Sequence, residues 1–240
     1  MRVMITGDIH RNDIDRFWYL PTDEDLAVIV LGDAGFDYTL NHQDTEHKNA
    51  LFRKFPNITW YLVRGNHEAR PQDVEGIQIV FDQELQGWVY YHPNHMNIFY
   101  LIDGQEYQFG NYNALVIGGA YSVDKDYRLM TGRKWFENEQ LNEEERETIL
   151  NTVKQGKHYN FIFSHTCPYD WQPFDLFLTG LDQSTVDNTM EKWLELVNQN
   201  ANYDTWCFGH FHADRQQGEA GLMLFHKVID LDKAIEREII

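Results

Sequence analysis

The fold is decided first by residues 3–10, which read Val-Met-Ile-Thr-Gly-Asp-Ile-His. The apolar residues at 3–5 are typical of a short buried strand, and the polar residues come directly after it. Residues i and i+2 of an extended segment project to the same side, so Asp8 and His10 can bind one cation together. The stretch therefore predicts a strand that ends in a pair of metal ligands.

Four further apolar runs end in the same way. Each is followed by Asp, Asn or His residues, and the runs with their polar successors are Leu26–Leu31 with Asp33, Ile58–Val63 with Asn66 and His67, Phe161–Phe163 with His165, and Thr205–Phe208 with His210 and His212. In open α/β sheets, ligands bind beyond the carboxyl ends of the strands. The five segments are therefore expected to deliver their polar side chains to one place.

The order of the elements predicts an α/β fold. Helical patterns lie between the apolar runs, at Asp13–Leu20, Thr45–Phe55, Asn142–Lys154 and Val186–Asn198. The first half alternates strand and helix, which indicates a parallel sheet, whereas strand follows strand more often in the second half, which indicates a mixed sheet or a pair of sheets. Because no linker or repeat divides the chain, we expect a single domain over residues 1–240.

Composition limits the classes of function. The formal net charge is −18 and the pI is about 4.8, which disfavours nucleic acid as a partner because affinity for DNA comes largely from Lys and Arg. No run reaches the ~18 apolar residues of a membrane span, and the first strand begins without a signal peptide. We therefore expect a cytoplasmic protein. Its two cysteines, Cys167 and Cys207, are expected to be buried thiols, although each lies beside a histidine motif and metal ligation stays open.

The five motifs resemble those of the calcineurin-like metallophosphoesterases, in that family's order along the chain: GD-x-H, GD, GNH[DE], a lone His after a strand, and GH-x-H. Residues 118–128 and 164–168 resemble its small bacterial and phage-type members. The resemblance implies the metallo-dependent phosphatase fold, a four-layer α/β/β/α sandwich with two mixed sheets. It also implies an open cleft without a separate capping domain.

The family resemblance implies two divalent cations. One would be held by Asp8, His10, Asp33 and His212, and the other by Asp33, Asn66, His165 and His210, with the Asp33 carboxylate bridging. The mixed nitrogen and oxygen ligands favour Mn, with Fe or Zn as the other choices.

The expected reaction is hydrolysis of a phosphomonoester or phosphodiester of a small substrate. A metal-bridging hydroxide would attack the phosphorus, and His67 would act as general acid with Glu68 or another acid holding its ring. A dedicated protein phosphatase is disfavoured because Gly-Asp-Ala-Gly at 32–35 lacks that class's arginine. Two alternatives remain: a non-catalytic scaffold or interaction protein of the same fold, and a manganese-dependent nuclease. The sequence predicts no oligomeric state.

Four residues are candidates for substrate contact. Arg11 stands where relatives usually have Gly, and Tyr121, Lys125 and Arg128 lie in residues 119–136, a local basic and aromatic stretch. This stretch is either a wall that faces the substrate or an ordinary surface loop. Asp37, four residues after Asp33, is either structural or a support for the site.

Overall fold

Two β-sheets form the centre of the protein in a computed structural model, which describes residues 2–11, 13–177 and 183–239. Within these residues the sheets contain seven and six strands. The strands are β1 Arg2–Thr6, β2 Leu26–Val30, β3 Ile58–Leu62, β4 Gln78–Asp82, β5 Gly87–His92, β6 His95–Leu101, β7 Glu106–Phe109, β8 Tyr112–Ile117, β9 His158–Ser164, β10 Asn202–Phe208, β11 Arg215–Gln217, β12 Gly221–Met223 and β13 Ile229–Asp230.

The first sheet has the order β13-β1-β2-β3-β6-β5-β4. Strands β1, β2, β3 and β6 run parallel, which confirms the prediction for the first half of the chain. The pairing of Val3 with Ala27 and of Val28 with Trp60 keeps the carboxyl ends of β1, β2 and β3 level. The polar residues that follow these three strands therefore start from one edge.

The second sheet has the order β11-β12-β10-β9-β8-β7. Its central strands β8, β9, β10 and β12 are parallel, while β7 and β11 pair antiparallel at the two edges. It is therefore mixed, as predicted, and the carboxyl ends of β9 and β10 again lie side by side.

The two sheets pack face to face. Alternate side chains of β1 and β2 meet those of β8 and β9 in a core that includes Ile5, Ile29, Val116 and Phe163, all fully buried. Burial of each such side chain contributes about 1.5–3 kcal/mol. The inner core therefore fixes the two sheets, and the residues at their strand ends, relative to each other.

Helices cover both outer faces. The helices are α1 His42–Lys54, α2 Lys125–Thr131, α3 Glu143–Val153, α4 Thr189–Asn200 and α5 Leu231–Ile235. Leu51 of α1 packs on the first sheet, and Ile149 of α3 and Leu194 of α4 pack on the second. The result is the predicted four-layer α/β/β/α sandwich.

Some local predictions differ from the structure. The helix predicted at Asp13–Leu20 is reduced to a 3-10 turn at Ile14–Phe17, and the stretch at 119–136 contains the short helix α2. Strands β7, β11 and β13 and helix α5 were not predicted, because they are short and carry little periodic signal. Helix α3 begins as predicted, with a capping box between Asn142 and Glu145. Among the described residues, none of the helices is long and apolar enough to cross a bilayer.

Candidate metal centre

Two buried carboxylates mark the centre of the site. Asp8 follows β1 and Asp33 follows β2, and each is 1 % exposed. One oxygen of each is tied to the backbone: Asp8 Oδ1 accepts the N–H of His210 at 2.9 Å, and Asp33 Oδ1 accepts that of His67 at 2.8 Å. Oδ2 of each carboxylate is left to face the surrounding imidazoles.

The first group of donor atoms lies around Asp8. His212 Nε2 is 3.2 Å and His10 Nε2 is 3.5 Å from Asp8 Oδ2, and the two ring nitrogens are 2.9 Å apart. The three side chains come from the segments after β1 and β10, which belong to different sheets. Their atoms are close enough to share one cation.

The second group lies around Asp33. His165 Nε2 is 3.6 Å from Asp33 Oδ2 and 2.8 Å from Asn66 Oδ1. Nδ1 of His165 lies 2.7 Å from the carbonyl oxygen of Leu31, and because that oxygen only accepts, Nδ1 carries a proton and Nε2 is the atom that faces the centre. Asp8, Asp33 and His165 also form a group of donor atoms close enough for one cation.

His210 is placed beside these groups. Its ring lies edge-on to that of His165, with the centroids 5.0 Å apart. Burial, with a smaller contribution from His165, lowers the pKa of His210 to about 3. A neutral imidazole at this position keeps a lone pair available for a cation.

The backbone around the site is constrained. Five residues here adopt positive φ although they are not glycine: His10, Arg11, Asp33, His210 and His212. Such conformations cost about 1–3 kcal/mol each and cluster at functional sites. Two glycines allow close approach: a Cβ at Gly32, where φ is +90°, would overlap the His165 ring, and one at Gly65 would overlap the Asp33 carboxylate.

The electrostatics of the group call for a cation. Burial is the largest single influence on Asp33 and opposes its ionisation, but His165, His67 and His10 together hold its pKa well below the ordinary value. In turn, Asp33 and Asp8 outweigh the burial of His165 and raise its pKa to about 9. Buried carboxylates need a counter-charge. A divalent cation would take the place of the His165 proton here, and the donor set of oxygen and nitrogen atoms fits one.

His67 lies at the rim of the centre. Its Nε2 is 3.9 Å from Asp33 Oδ2 and 3.2 Å from Nη2 of Arg128. Arg128 belongs to α2 and is held by Asp124, whose Oδ1 accepts from its Nε at 2.7 Å. Since a guanidinium only donates, His67 Nε2 is the acceptor in this arrangement. The stretch at 119–136 therefore reaches the site through Arg128.

Glu68 does not hold the His67 ring. Its two oxygens accept the backbone N–H groups of Gly35 and Gly65, each at 3.1 Å, and among the described residues no hydrogen bond or ion pair joins its carboxylate to the imidazole. The hypothesis named Glu68 or another acid, and the acid beside the ring is Asp33, whose Oδ2 is 3.9 Å from His67 Nε2. The Glu68 carboxylate fixes the loops after β2 and β3 instead, and the ring position depends on Asp33 and Arg128.

The remaining candidates for substrate contact have other neighbours. Arg11 donates to the carbonyl of Gly35 and forms an ion pair with Asp44 of α1. Lys125 places its Nζ over the ring of Trp135, 4.1 Å from the centroid, and Tyr121 is half-buried. A role in substrate binding stays a prediction for all three.

Other polar groups near the site are structural. Asp37 accepts from Lys48 Nζ at 2.6 Å and from the hydroxyl of Tyr100, which favours a structural role for this acid.

A pocket of about 410 Å³ lies away from the carboxylates, between α3 and the segment after β6. Both arginines at its wall, Arg64 and Arg70, donate to carbonyl and carboxylate oxygens of the protein.

The two cysteines are buried, as expected. Cys207 lies in the core between the sheets and Cys167 in the core under α4. Neither belongs to the two groups of donor atoms found in the described part of the chain.

Sequence reasoning missed one connected pair, Ser122 and Glu139. Ser122 Oγ accepts from Asn66 Nδ2 at 2.9 Å and donates to Glu139 Oε2 at 2.5 Å. Ser122 lies within the basic and aromatic stretch, but no motif marks it. Glu139 is distant from every motif and becomes visible only in three dimensions.

The two-sheet sandwich with Asp, Asn and His side chains at its strand ends is the architecture of metal-dependent phosphoesterases. The family described as calcineurin-like phosphoesterase matches residues 1–214, and the chain belongs to this family. This finding confirms the resemblance stated from the motifs.

A solved structure is similar to the chain over most of its length: that of phosphopantetheinyl hydrolase from Mycobacterium tuberculosis. The match covers 93 % of this chain and 88 % of that one, with 14 % sequence identity and a TM-score of 0.47. At this level the similarity carries no conclusion about activity. No curated protein matches the chain.

Proposed function

We propose that the protein is a dinuclear-metal phosphoesterase that hydrolyses phosphomonoesters or phosphodiesters of small molecules. The observation that carries the proposal is the convergence of strand ends from two different sheets on two buried carboxylates. Donor atoms of His10 and His212 lie with Asp8, and that of His165 lies with Asp8 and Asp33. Asn66 and His210 lie beside His165. Packing of a sandwich does not require two buried carboxylates with facing imidazoles, whereas a pair of cations does.

In this proposal the two ligand sets overlap at Asp33. One cation is held by Asp8, His10, Asp33 and His212, and the other by Asp33, Asn66, His165 and His210. Mn fits this set best, and Fe or Zn is compatible with it. When bound, the two cations lower the pKa of a shared water, orient the phosphoryl oxygens and stabilise charge during in-line displacement.

His67 and Arg128 act on the substrate. The Arg128 guanidinium donates to a phosphoryl oxygen, which removes it from His67 Nε2, now 3.2 Å away. His67 can then hold a proton on Nε2 and pass it to the leaving oxygen as general acid. The hydrogen bond from the His67 backbone N–H to Asp33 Oδ1 keeps this residue beside the centre throughout.

The charge of the chain favours a small substrate. With a net charge of −18, the surface repels a long polyanion, whereas the cations and Arg128 attract one phosphate group locally. This disfavours the nuclease alternative.

We expect the cytoplasm as the compartment and a single domain over residues 1–240. In this proposal the residues beside α2 form one wall of the cleft.

The test is turnover of p-nitrophenyl phosphate and bis-p-nitrophenyl phosphate by the metal-free protein with and without added Mn²⁺. We expect hydrolysis only with the metal, together with two bound metal ions per chain by elemental analysis. Absence of turnover on a broad panel of phosphate esters, in protein that does bind two ions, would instead favour the scaffold alternative.

A further inference from the structure

The Asn66 side chain lies between the proposed metal centre and the interior of the protein. Its Oδ1 is 2.8 Å from His165 Nε2, and its Nδ2 donates to Ser122 Oγ at 2.9 Å. If the Asn66 amide were rotated by half a turn, it would present Nδ2 to the centre, and an N–H donor cannot bind a cation. Whatever fixes the direction of this amide therefore decides whether Asn66 is a ligand.

Ser122 fixes that direction only if its own proton points elsewhere. A hydroxyl has one proton, and the proton of Ser122 is given to Glu139 Oε2 at 2.5 Å. Ser122 Oγ is thus left as an acceptor on the side of Asn66, where it matches Nδ2 and rejects Oδ1. Ser122 and Glu139 are 2 % and 3 % exposed, so water does not replace these bonds readily.

The surroundings of Glu139 require a carboxylate. Its two oxygens face three donors: the Ser122 N–H at 3.0 Å, the Ser122 hydroxyl at 2.5 Å and Trp135 Nε1 at 2.9 Å. A carboxylate accepts all three, whereas an amide in the same place turns its NH₂ towards a donor whichever way it is rotated. Ser122 precedes α2 along the chain and Trp135 follows it. Glu139 therefore also anchors the segment that carries Arg128.

We propose that Glu139 is a positioning residue that acts through Ser122 to present the Asn66 oxygen to one of the two metal ions. The inference rests on the proposed function, since it assumes a centre with two ions. It predicts that Glu139 governs the ion held by Asn66, His165 and His210 and leaves the ion at His10 and His212 largely unaffected. Partners that orient metal ligands typically change metal affinity by about 10- to 100-fold.

The experiment is calorimetric titration of the metal-free full chain with Mn²⁺, for the wild type and for Glu139→Gln. We expect two binding events in the wild type and a loss of about 10- to 100-fold in affinity for one of them in the variant. Glu137→Gln is the matched control, because it makes the same change of charge at an exposed position two residues away. Thermal unfolding of the metal-free proteins separates loss of an ion from loss of the fold.

Ser122→Ala and the double variant test the route. Ser122→Ala should weaken the same binding event. Adding Glu139→Gln to it should cause little further loss of metal affinity, because Glu139 reaches Asn66 only through the Ser122 hydroxyl. If Glu139→Gln does not fold, Ser122→Ala alone decides, and it must weaken one event and spare the other.

Each result has one meaning. Wild-type affinity for both ions in Glu139→Gln and Ser122→Ala overturns the role of Glu139, as does equal weakening of both events or full additivity in the double variant. A wild type that binds no Mn²⁺ overturns the proposed function itself, which keeps the two failures apart.

Discussion

Nη2 of Arg128 lies 3.2 Å from Nε2 of His67, so helix α2 reaches the proposed general acid directly. The contact joins a motif residue to the stretch at 119–136. From sequence, that stretch could be either a wall that faces the substrate or an ordinary surface loop. The contact favours the wall, and it separates Arg128 from Lys125, whose ammonium packs over Trp135.

Substitutions of the two basic residues of α2, Lys125 and Arg128, should therefore have different effects. We expect Arg128→Ala to lower kcat/KM on a phosphate ester by roughly 10- to 100-fold, the value of a lost hydrogen bond to a charged group, and Lys125→Ala to change it little. Steady-state kinetics with Mn²⁺ measure both. Arg133→Ala is the control, since that guanidinium lies over the Tyr127 ring. Equal losses in Arg128→Ala and Arg133→Ala would argue for a general effect of charge.

His67→Ala tests the general acid. We expect the variant to keep its metal ions but to hydrolyse an alkyl phosphate about 10²- to 10⁴-fold more slowly, because an alkoxide leaving group needs a proton. The loss should be far smaller with p-nitrophenyl phosphate, whose leaving group needs none. His158→Ala, at an exposed histidine on β9, serves as the comparison. Wild-type rates on the alkyl ester would exclude this role.

Asp33→Asn tests the bridge between the ions. Asparagine is among the residues that tolerate positive φ, here 49°, so we expect the fold to persist while the bridging carboxylate is lost. Elemental analysis should show fewer than two metal ions per chain, with loss of turnover. Two ions retained at wild-type affinity would mean that Asp33 does not bridge.

Lys48→Met tests the structural reading of Asp37. The change removes the cation of a buried pair, 2.6 Å from the carboxylate, and should destabilise the protein by about 3–5 kcal/mol. Lys54→Met is the control, because its ion pair with Asp15 is exposed and should matter little. Denaturant unfolding gives the free energies. A fall in metal content of the folded Lys48→Met protein, rather than in stability, would assign Asp37 to the metal site.

We expect Glu191 to make the stability of the protein depend on pH. Burial is the main cause that raises its pKa from 4.5 to about 7, so the folded state binds this proton more tightly than the unfolded state. The associated stability is present in full below pH 4.5 and is lost as the pH rises to about 7, by roughly 3 kcal/mol.

Glu191→Gln should remove this loss. Oε1 of Glu191 accepts from Thr166 at 2.9 Å, and glutamine can keep that bond. We expect the variant to gain stability relative to the wild type between pH 5 and pH 8, measured by unfolding of the metal-free proteins. The same pH dependence in both proteins would show that Glu191 does not titrate in this range.

The proposed ligands could be picked out from sequence because each follows a buried strand within a few residues. Parallel pairing then brings Asp8, Asp33 and Asn66 to one edge, and the same rule applies to His165 and His210 in the other sheet. The pattern is local and the topology is simple, so short motifs were enough to predict that these residues lie close together.

The parts that sequence could not supply depend on contacts between distant residues. Glu139 meets Ser122 across 17 positions, and neither lies in a periodic pattern that marks a partner. Arg11 turns towards Asp44, which only the packing of α1 reveals. Helix α2 is seven residues long with none of them buried, so it has no apolar stripe to announce it.

The proposed ligands come from both sheets, and this has a mechanical consequence. Asp33 and Asn66 extend from the first sheet and His165 and His210 from the second, so bound ions would clasp the two halves of the sandwich at one end. Removal of the ions by a chelator should then weaken the contact between the two sheets at that end and speed amide hydrogen exchange along β2 and β9. Because an ion that binds only the folded state raises its melting temperature, a simple thermal shift with Mn²⁺ can report occupancy before any substrate is known.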